Sequence, residues 1–276
     1  LYDTALNSYS IEVLYGSVTE APTASPAPTS HWFEGSGLLA YYPFDKGNAT
    51  DALGANDGSA HRGYEISTHL RVVDGKDGGD AARLASAGDY VTLPHALTDG
   101  AITGDNARTI CLWAQIDTWR EDDVLFQYGS SGTDADGRTT SPFSLALGRQ
   151  EGQLVVDNAT ITVTGSNMAW DYWHHYCVTY DQLNVTFYFD GVAGATWRSS
   201  LNTGKETGVS LGSQQGGDYG LQGALDEVYL YDTALNSYSI EVLYGSVTEA
   251  PTASPAPTSH WFEGSGLLAY YPFDKG

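Results

Sequence analysis

Basic side chains are scarce in this sequence. Its 276 residues include 12 lysines and arginines against 34 aspartates and glutamates, which gives a net charge of −22. Such a field repels nucleic acid phosphates and anionic lipid headgroups, because binding to either requires lysine or arginine. Long apolar runs are lacking too, and none approaches the roughly 18 residues that cross a bilayer. We therefore expect neither nucleic acid binding nor membrane insertion, and divalent cations are better partners for this charge.

Cysteine is nearly absent, and the two cysteines present are far apart. Cys111 lies in RTICLWAQID and Cys177 in WHHYCVTYD, each within an apolar strand pattern. No CxxC motif occurs, which argues against metal binding and redox exchange. Two interpretations remain. The cysteines form a disulfide between neighbouring strands, which indicates an oxidising compartment, or they are two buried free thiols.

The chain contains a long identical repeat. Residues 1–47 recur without a change at 230–276, so the period is 230 − 1 = 229 residues. Because such self-similarity is typical of tandem arrays, we expect a window from a longer protein with one domain per period. The predicted segments are the end of a preceding repeat (1–16), a linker (17–36), one domain (37–245), a second linker (246–265) and the first strand of the next repeat (266–276).

The predicted linker 17–36 alternates proline with threonine, serine and alanine, a composition typical of an extended polyproline II spacer. Trp32 and Phe33 follow the prolines, and two adjacent aromatic side chains are costly to leave in water. We expect them to dock on a domain surface; an incidental aromatic pair is the alternative. Hydroxyl side chains interleaved with the prolines are candidate O-glycosylation sites: Thr19, Thr23, Ser25, Thr29 and Ser30.

Short β-patterned runs separated by Gly, Asp, Asn and Ser clusters follow the linker, which is typical of an all-β sandwich. One helix is predicted over Asn236–Tyr244, with Asn236 as its N-cap and Gly245 as its terminator. The predicted strands are 38–44, 81–84, 90–93, 109–116, 124–128, 143–147, 154–157, 173–180, 185–189 and 224–231.

These segments resemble the laminin G-like and pentraxin superfamily, which shares the concanavalin-type jelly roll. The resemblance rests on ordered pieces: GLLAYYPFD (37–45), DALGANDG (51–58), RTICLW (108–113), WHHYCVTYD (173–181), NVTFYFDG (184–191), ALDEVYLYDTAL (224–235) and IEVLYG (240–245). It implies a two-sheet antiparallel jelly-roll sandwich with one short C-terminal helix, repeated in tandem. It also implies a disulfide between Cys111 and Cys177.

The resemblance implies calcium as well. Pentraxins bind it through two loops, which correspond here to Asp134, Asp136, Gln214, Gln215 and Asp218. The match is partial, because neutral Gln214 and Gly216 replace an acidic pair and Asp218 is displaced by two positions. Many laminin G-like relatives keep a structural calcium near their joined termini, which gives an alternative set: Asp45, Asp51, Asn56, Asp57 and Asp226. Solvated acidic loops without an ion are the remaining interpretation.

A catalytic constellation is not found. Glycoside hydrolases on this fold place paired glutamates on one strand face, and no E-x-D-x-x-E pattern occurs. The consecutive acids of 121–123 and of 226–227 are expected to point to different faces. His174 and His175 have no serine or cysteine nucleophile placed by motif. We therefore expect no enzyme.

Three N-x-Ser/Thr sequons, at Asn48, Asn158 and Asn184, suit a secreted, disulfide-bearing glycoprotein at the cell surface. The leading hypothesis is a structural repeat of an extracellular filament, in which neighbouring copies reuse one contact along the array. The alternative is a tandem carbohydrate-binding adhesin, with or without a calcium requirement. Exposed indoles would favour the lectin, and the candidates for sugar stacking are Trp119, Trp170, Trp173 and Trp197.

Overall fold

The computed structural model describes residues 37–245, except residues 64, 68, 87, 164–169 and 206. The predicted segments 1–16, 17–36, 246–265 and 266–276 lie outside these residues and stay predictions. The same holds for docking of Trp32 and Phe33 and for O-glycosylation of Thr19, Thr23, Ser25, Thr29 and Ser30.

Most of the regular structure is β-strand. A 3-10 helix at His95–Leu97 and a single α-helix, α1 (Ser237–Tyr244), accompany the strands in the described residues. The strands are β1 (Leu38–Tyr42), β2 (Ser59–Arg62), β3 (Glu65–Ser67), β4 (Arg71–Asp74), β5 (Asp80–Leu84), β6 (Tyr90–Thr92), β7 (Arg108–Thr118), β8 (Val124–Tyr128), β9 (Gly132–Thr133), β10 (Thr139–Thr140), β11 (Phe143–Leu147), β12 (Gln153–Val156), β13 (Ala159–Thr162), β14 (His174–Tyr180), β15 (Asn184–Phe189), β16 (Val192–Arg198), β17 (Ser210–Leu211) and β18 (Gln222–Tyr231).

The strands form two large sheets. The first has the order β16-β15-β14-β7-β18-β5-β4, with β1 also paired to β18, and the second has the order β13-β12-β11-β8-β17-β6-β2-β3. Strands β9 and β10 form a separate hairpin, and every pairing between named strands is antiparallel. The predicted all-β, two-sheet antiparallel sandwich with one short C-terminal helix is confirmed.

Strand β7 is buried on both faces. Ile110 and Leu112 belong to the main core between the sheets, and burial of such a side chain stabilises the fold by about 1.5–3 kcal/mol. Cys111 belongs to a second apolar cluster, which also contains Ile240 and Leu243 of α1. The helix therefore covers the outer face of the first sheet.

The caps of α1 agree with the sequence. The Asn236 side chain accepts a hydrogen bond from Ser239 N (2.9 Å), which satisfies a backbone donor of the first turn. Gly245 ends the helix in the left-handed conformation, at φ 85°. The predicted helix is thus confirmed, with Asn236 lying just outside its first turn.

All ten predicted strands are present, and β8 and β11 have the predicted bounds. Eight observed strands were not predicted: β2, β3, β4, β9, β10, β13, β16 and β17. Most of these strands are short and largely exposed, so their sequences carry little of the apolar alternation that identifies a half-buried strand. In β16 a central glycine weakens the pattern further.

A disulfide joins Cys111 of β7 to Cys177 of β14, as predicted, and the two residues lie directly opposite each other in the sheet. The residues are 66 positions apart, so the bond closes a long loop in the unfolded chain. Replacing both cysteines with serine is expected to lower the free energy of unfolding by about 4 kcal/mol. Urea denaturation followed by tryptophan fluorescence measures this difference. Wild-type protein in reductant is the control, and a double variant as stable as oxidised wild type would contradict the pairing.

Candidate functional site

Two clefts open beside β8, one lined by residues just before the strand and the other by residues just after it. The larger, which we call the Asn202 cleft, has a volume of about 600 Å³ and is lined by residues 103–104, 130–136, 140 and 202–205. The smaller, the Tyr219 cleft, has a volume of about 260 Å³ and is lined by residues 120, 121, 123 and 217–220. No residue lines both.

Hydrogen bonds fix the wall of the Asn202 cleft. Asn202 Nδ2 donates to Asp134 Oδ2 (2.9 Å) and to the carbonyl oxygen of Thr139 (3.0 Å). Asp134 Oδ1 accepts from the backbone amides of Asp136 (3.0 Å) and Arg138 (2.8 Å). The bond from Asn202 and those from the amides lower the pKa of Asp134, so this carboxylate is ionised at neutral pH. The β9–β10 hairpin thereby presents a fixed negative acceptor to the cleft.

The floor of the Asn202 cleft is held from the core by Arg108, a fully buried residue of β7. Its Nη1 donates to Thr203 Oγ1 (2.9 Å) and to Tyr128 Oη (2.9 Å), and its Nη2 donates to the Gly104 carbonyl oxygen (2.8 Å). Gly104 and Thr203 also exchange two backbone hydrogen bonds, of 2.8 and 3.0 Å. Arg108 was not among the residues predicted to matter, although an arginine within the apolar run RTICLW is an unusual residue that indicates a buried polar contact.

The structure separates the pentraxin-like calcium residues. Asp134 and Asp136 line the Asn202 cleft, whereas Asp218 lines the Tyr219 cleft. Gln215 Nε2 donates to the Gly208 carbonyl oxygen (2.7 Å), and Gln214 N donates to the Asp218 carbonyl oxygen (2.8 Å). The two halves of this set therefore do not line a common cavity.

The alternative calcium set divides into two groups. Asp51 holds a turn, because its carboxylate accepts from the backbone amides of four residues: Tyr41, Leu53, Ala55 and Asn56. Asp57 Oδ1 in turn accepts from Asp51 N (2.9 Å). These carboxylates, together with Asn56, shape the loop of the motif DALGANDG.

Asp45 and Asp226 lie elsewhere, beside a bulge in β18. Asp226 is only 3% exposed and accepts from Lys76 N (2.9 Å) and Glu227 N (2.9 Å). Glu227 has φ 50°, and its carboxylate accepts from the hydroxyl groups of Tyr41 (2.7 and 2.8 Å) and Tyr229 (2.7 Å). We call Asp45, Asp226 and Glu227 the bulge carboxylates.

The bulge carboxylates are costly to ionise, because burial removes them from water. Burial raises the pKa of Asp226 to about 8, and burial is also the main cause of the raised pKa values of Glu227 and Asp45. Glycines pass close by: a Cβ at Gly79 would collide with Asp45, and one at Gly75 would lie 2.7 Å from Asp226 Oδ2. Carboxylate oxygens such as these are the ligands that calcium prefers.

The tightest group of metal-ligating atoms in the described residues is not acidic. The ligand atoms of Cys111, His175 and Cys177 all lie within 4.8 Å of one another, and all three side chains are buried. Both sulfurs belong to the disulfide, so neither is a thiolate. Nearby, His174 of β14 contacts Asp190 Oδ2 through Nδ1 (2.9 Å).

The three sequon asparagines differ in exposure. Asn158 is exposed in the turn between β12 and β13, at φ 64°. Asn48 and Asn184 are half-buried, and their side chains bond to Thr50 N (3.2 Å) and Asp181 Oδ2 (3.2 Å) respectively. Of the three, Asn158 is the most accessible to a glycosyltransferase.

None of the four tryptophans predicted as candidates for sugar stacking has a fully exposed indole ring. Trp170 is buried and packs against Trp119, whose Nε1 donates to the Gly148 carbonyl oxygen (2.9 Å). Trp173 and Trp197 are half-buried. Among the described aromatics, two tyrosines are strongly exposed instead: Tyr172 (67%) and Tyr219 (51%).

Residues 85–241 match the family model of the laminin G type described as the concanavalin A-like lectin/glucanases superfamily, over more than half of the chain. The chain belongs to this superfamily. The predicted laminin G-like fold is thereby confirmed, whereas pentraxin ancestry and tandem repetition stay predictions. A comparison with curated protein sequences found no significant match.

Several solved structures of other proteins resemble this domain. Domain 4 of AbnA, an extracellular GH43 arabinanase of Geobacillus stearothermophilus solved with arabinotriose, is 20% identical, with TM-score 0.55 over 76% of this chain and 98% of that one. The binding domain of Paraclostridial Mosquitocidal Protein 1 is 17% identical, with TM-score 0.55 over 76% of this chain and 52% of that one. The receptor binding domain of a botulinum neurotoxin C/D mosaic serotype is 12% identical, with TM-score 0.52 over 76% of this chain and 51% of that one. These likenesses establish the fold.

In the part of the chain that the structure describes, no helix has the length and apolar character of a membrane span. The expected absence of catalysis, nucleic acid binding and membrane insertion stays a prediction.

The raised pKa of Asp226 makes stability depend on pH. The folded state binds this proton more tightly than an unfolded aspartate of pKa 3.8, so the free energy of unfolding falls as pH rises from 3.8 to about 8. In chelator, the melting temperature is expected to fall over this window, and Asp226→Asn should flatten the slope. Calcium bound at the bulge carboxylates would favour the ionised form of Asp226. Added calcium should therefore raise the melting temperature most near the upper end of this pH window, at about pH 8, where Asp226 ionises. A slope identical in wild type and Asp226→Asn would contradict this assignment.

Proposed function

We propose that this domain binds carbohydrate and that the Asn202 cleft holds an oligosaccharide. The observation that carries the proposal is a cleft of about 600 Å³ lined by hydroxyl, amide and carboxylate groups. Ligand pockets in proteins commonly measure about 300–1,000 Å³. A short oligosaccharide fits within that volume.

The chemistry of the cleft suits sugar hydroxyl groups, each of which both donates and accepts hydrogen bonds. The ionised Asp134 is an acceptor, and Asn202 Oδ1 is a second one, because both protons of the Asn202 amide nitrogen are donated to Asp134 and Thr139. Fixed donors and acceptors lose little conformational entropy when a ligand binds, which favours affinity. Serine and threonine hydroxyl groups of residues 130–133 supply further adaptable partners.

Membership of a lectin and glucanase superfamily supports this proposal over a purely structural role. Domain 4 of the arabinanase AbnA was solved with arabinotriose. The sugar bound by the present domain is expected to be uncharged, because the chain has a net charge of −22 and Asp134 is ionised in the cleft.

The identical repeat favours a second, compatible role. If units follow one another at intervals of 229 residues, each presents the same cleft, and weak affinities multiply through effective concentration. We propose that such an array is extracellular and glycosylated, that it acts in cell adhesion, and that contacts between neighbouring copies form a filament. Calcium at the bulge carboxylates would stabilise each unit under this proposal.

The proposed filament can be tested independently of sugar binding. Electron micrographs of the native protein should show beaded fibres with one bead per repeat, because linked identical units reuse the same contact. Isolated monodisperse beads at high protein concentration would leave carbohydrate binding as the whole function.

The lectin role predicts the effect of two substitutions. Asp134→Ala and Asn202→Ala are each expected to weaken oligosaccharide binding about tenfold or more, because each removes a fixed polar partner. A glycan array identifies the ligand, and isothermal titration calorimetry measures the change. Asp99→Ala, an exposed acid outside both clefts, is the matched control. Unchanged affinity in both cleft variants, with melting temperatures like that of wild type, would exclude the Asn202 cleft.

A further inference from the structure

We infer that the Tyr219 cleft is a second carbohydrate site, which binds one uncharged sugar ring by direct contacts and without a metal ion. This inference rests on the proposed carbohydrate-binding function. Its evidence is independent of the Asn202 cleft, because the two clefts share no lining residue.

Tyr219 is held in an exposed position by its backbone. Its φ is 51°, in the left-handed region that is strained for a bulky residue, and its side chain is 51% exposed. The Tyr219 carbonyl oxygen accepts from Val124 N (3.0 Å), and glycines 217 and 220 flank the turn. In this conformation, about half of the Tyr219 side chain is exposed to solvent. A flat aromatic face is a suitable platform for the apolar C–H face of a sugar ring.

Polar groups converge on the cleft from the loop before β8. Asp123 is only 4% exposed, and its Oδ2 accepts from Arg120 Nε (2.9 Å). Arg120 Nη2 donates to the Gly220 carbonyl oxygen, so the guanidinium joins this loop to the loop that carries Tyr219. Asp218 lines the opposite wall. An aromatic face beside fixed carboxylates and a guanidinium supplies both stacking and hydrogen bonds to hydroxyl groups.

Two of three consecutive acids reach this cleft. Glu121 and Asp123 both line it, whereas Asp122 between them, at φ 69°, does not. This agrees with the expectation that the consecutive acids 121–123 point to different faces. Glu121 and Asp123 therefore form part of the cavity wall.

Size and charge define the ligand. A volume of about 260 Å³ suits one ring rather than a chain of rings. Three carboxylates, from Glu121, Asp123 and Asp218, outnumber the two guanidinium groups that pair with them, those of Arg120 at Asp123 and Arg149 at Glu121. This balance disfavours sialic and uronic acids. The expected ligand class is a neutral hexose, pentose or N-acetylhexosamine.

The test uses the whole chain, EDTA throughout, and a panel of neutral methyl glycosides with sialyllactose as the anionic probe. Amide chemical shifts should change for residues 120–123 and 217–220 on addition of a neutral glycoside, and sialyllactose should have no such effect. Tyr219→Ala is expected to weaken binding at least tenfold, whereas Tyr219→Phe, which keeps the aromatic face, should stay within about twofold. Tyr172→Ala, at the other strongly exposed tyrosine, is the matched control.

The outcomes distinguish this site from the proposed function. Shifts confined to residues 130–136 and 202–205 would overturn the second site and leave the Asn202 cleft standing. Equal affinity of Tyr219→Ala and wild type, or binding that needs calcium, would also overturn it. Absence of binding to every glycan on an array would overturn both proposals. Because Tyr219 is half exposed and alanine keeps the Cβ, the backbone strain is unchanged and the alanine variant should melt close to the wild-type temperature. Thermal denaturation of both proteins checks that a loss of binding does not reflect unfolding.

Discussion

Strand β7 is hydrogen-bonded to β14 on one edge and to β18 on the other, and it is buried on both faces. One face packs in the core between the sheets and the other lies beneath α1. At the start of β7, the Arg108 guanidinium donates hydrogen bonds to Thr203 Oγ1 and to the Gly104 carbonyl oxygen. These bonds fix both residues at the floor of the Asn202 cleft. A buried guanidinium must satisfy its donors, and here it does so through the loops that form a binding surface. The shape of the cleft therefore depends on the core.

Apolar alternation and capping residues made the central strands and the helix predictable. The disulfide followed from a family resemblance, and the register places Cys111 directly opposite Cys177. The exposed strands carried no such signal. The clefts could not be predicted, because they depend on left-handed residues such as Asp122 and Tyr219, whose conformation is set by neighbouring loops rather than by local propensity. The same limit applies to Asp51, where an apparent metal ligand proved to hold a turn.

Acidic residues serve different purposes in this fold, although composition presents them as one excess of charge. Asp51 satisfies backbone donors, Asp134 braces a hairpin, and Asp226 is desolvated inside a bulge. Burial raises the pKa of Asp226 to about 8, so this carboxyl is largely protonated at neutral pH. The acidic composition thus indicates neither one site nor one ligand, and each carboxylate has to be judged by its own contacts.

The pairing of β1 with β18 has a mechanical consequence. Leu38 lies opposite Tyr231, and Asp232 N donates to the Gly37 carbonyl oxygen (2.9 Å), so the chain enters and leaves the sandwich side by side. A pull applied at those points would open the β1–β18 ladder one pair at a time, like a zipper, instead of shearing all its hydrogen bonds together. The covalent bond between Cys111 and Cys177 would stop the extension. Under load, the domain would lengthen by releasing its outer segments while the chain between the two cysteines stayed closed.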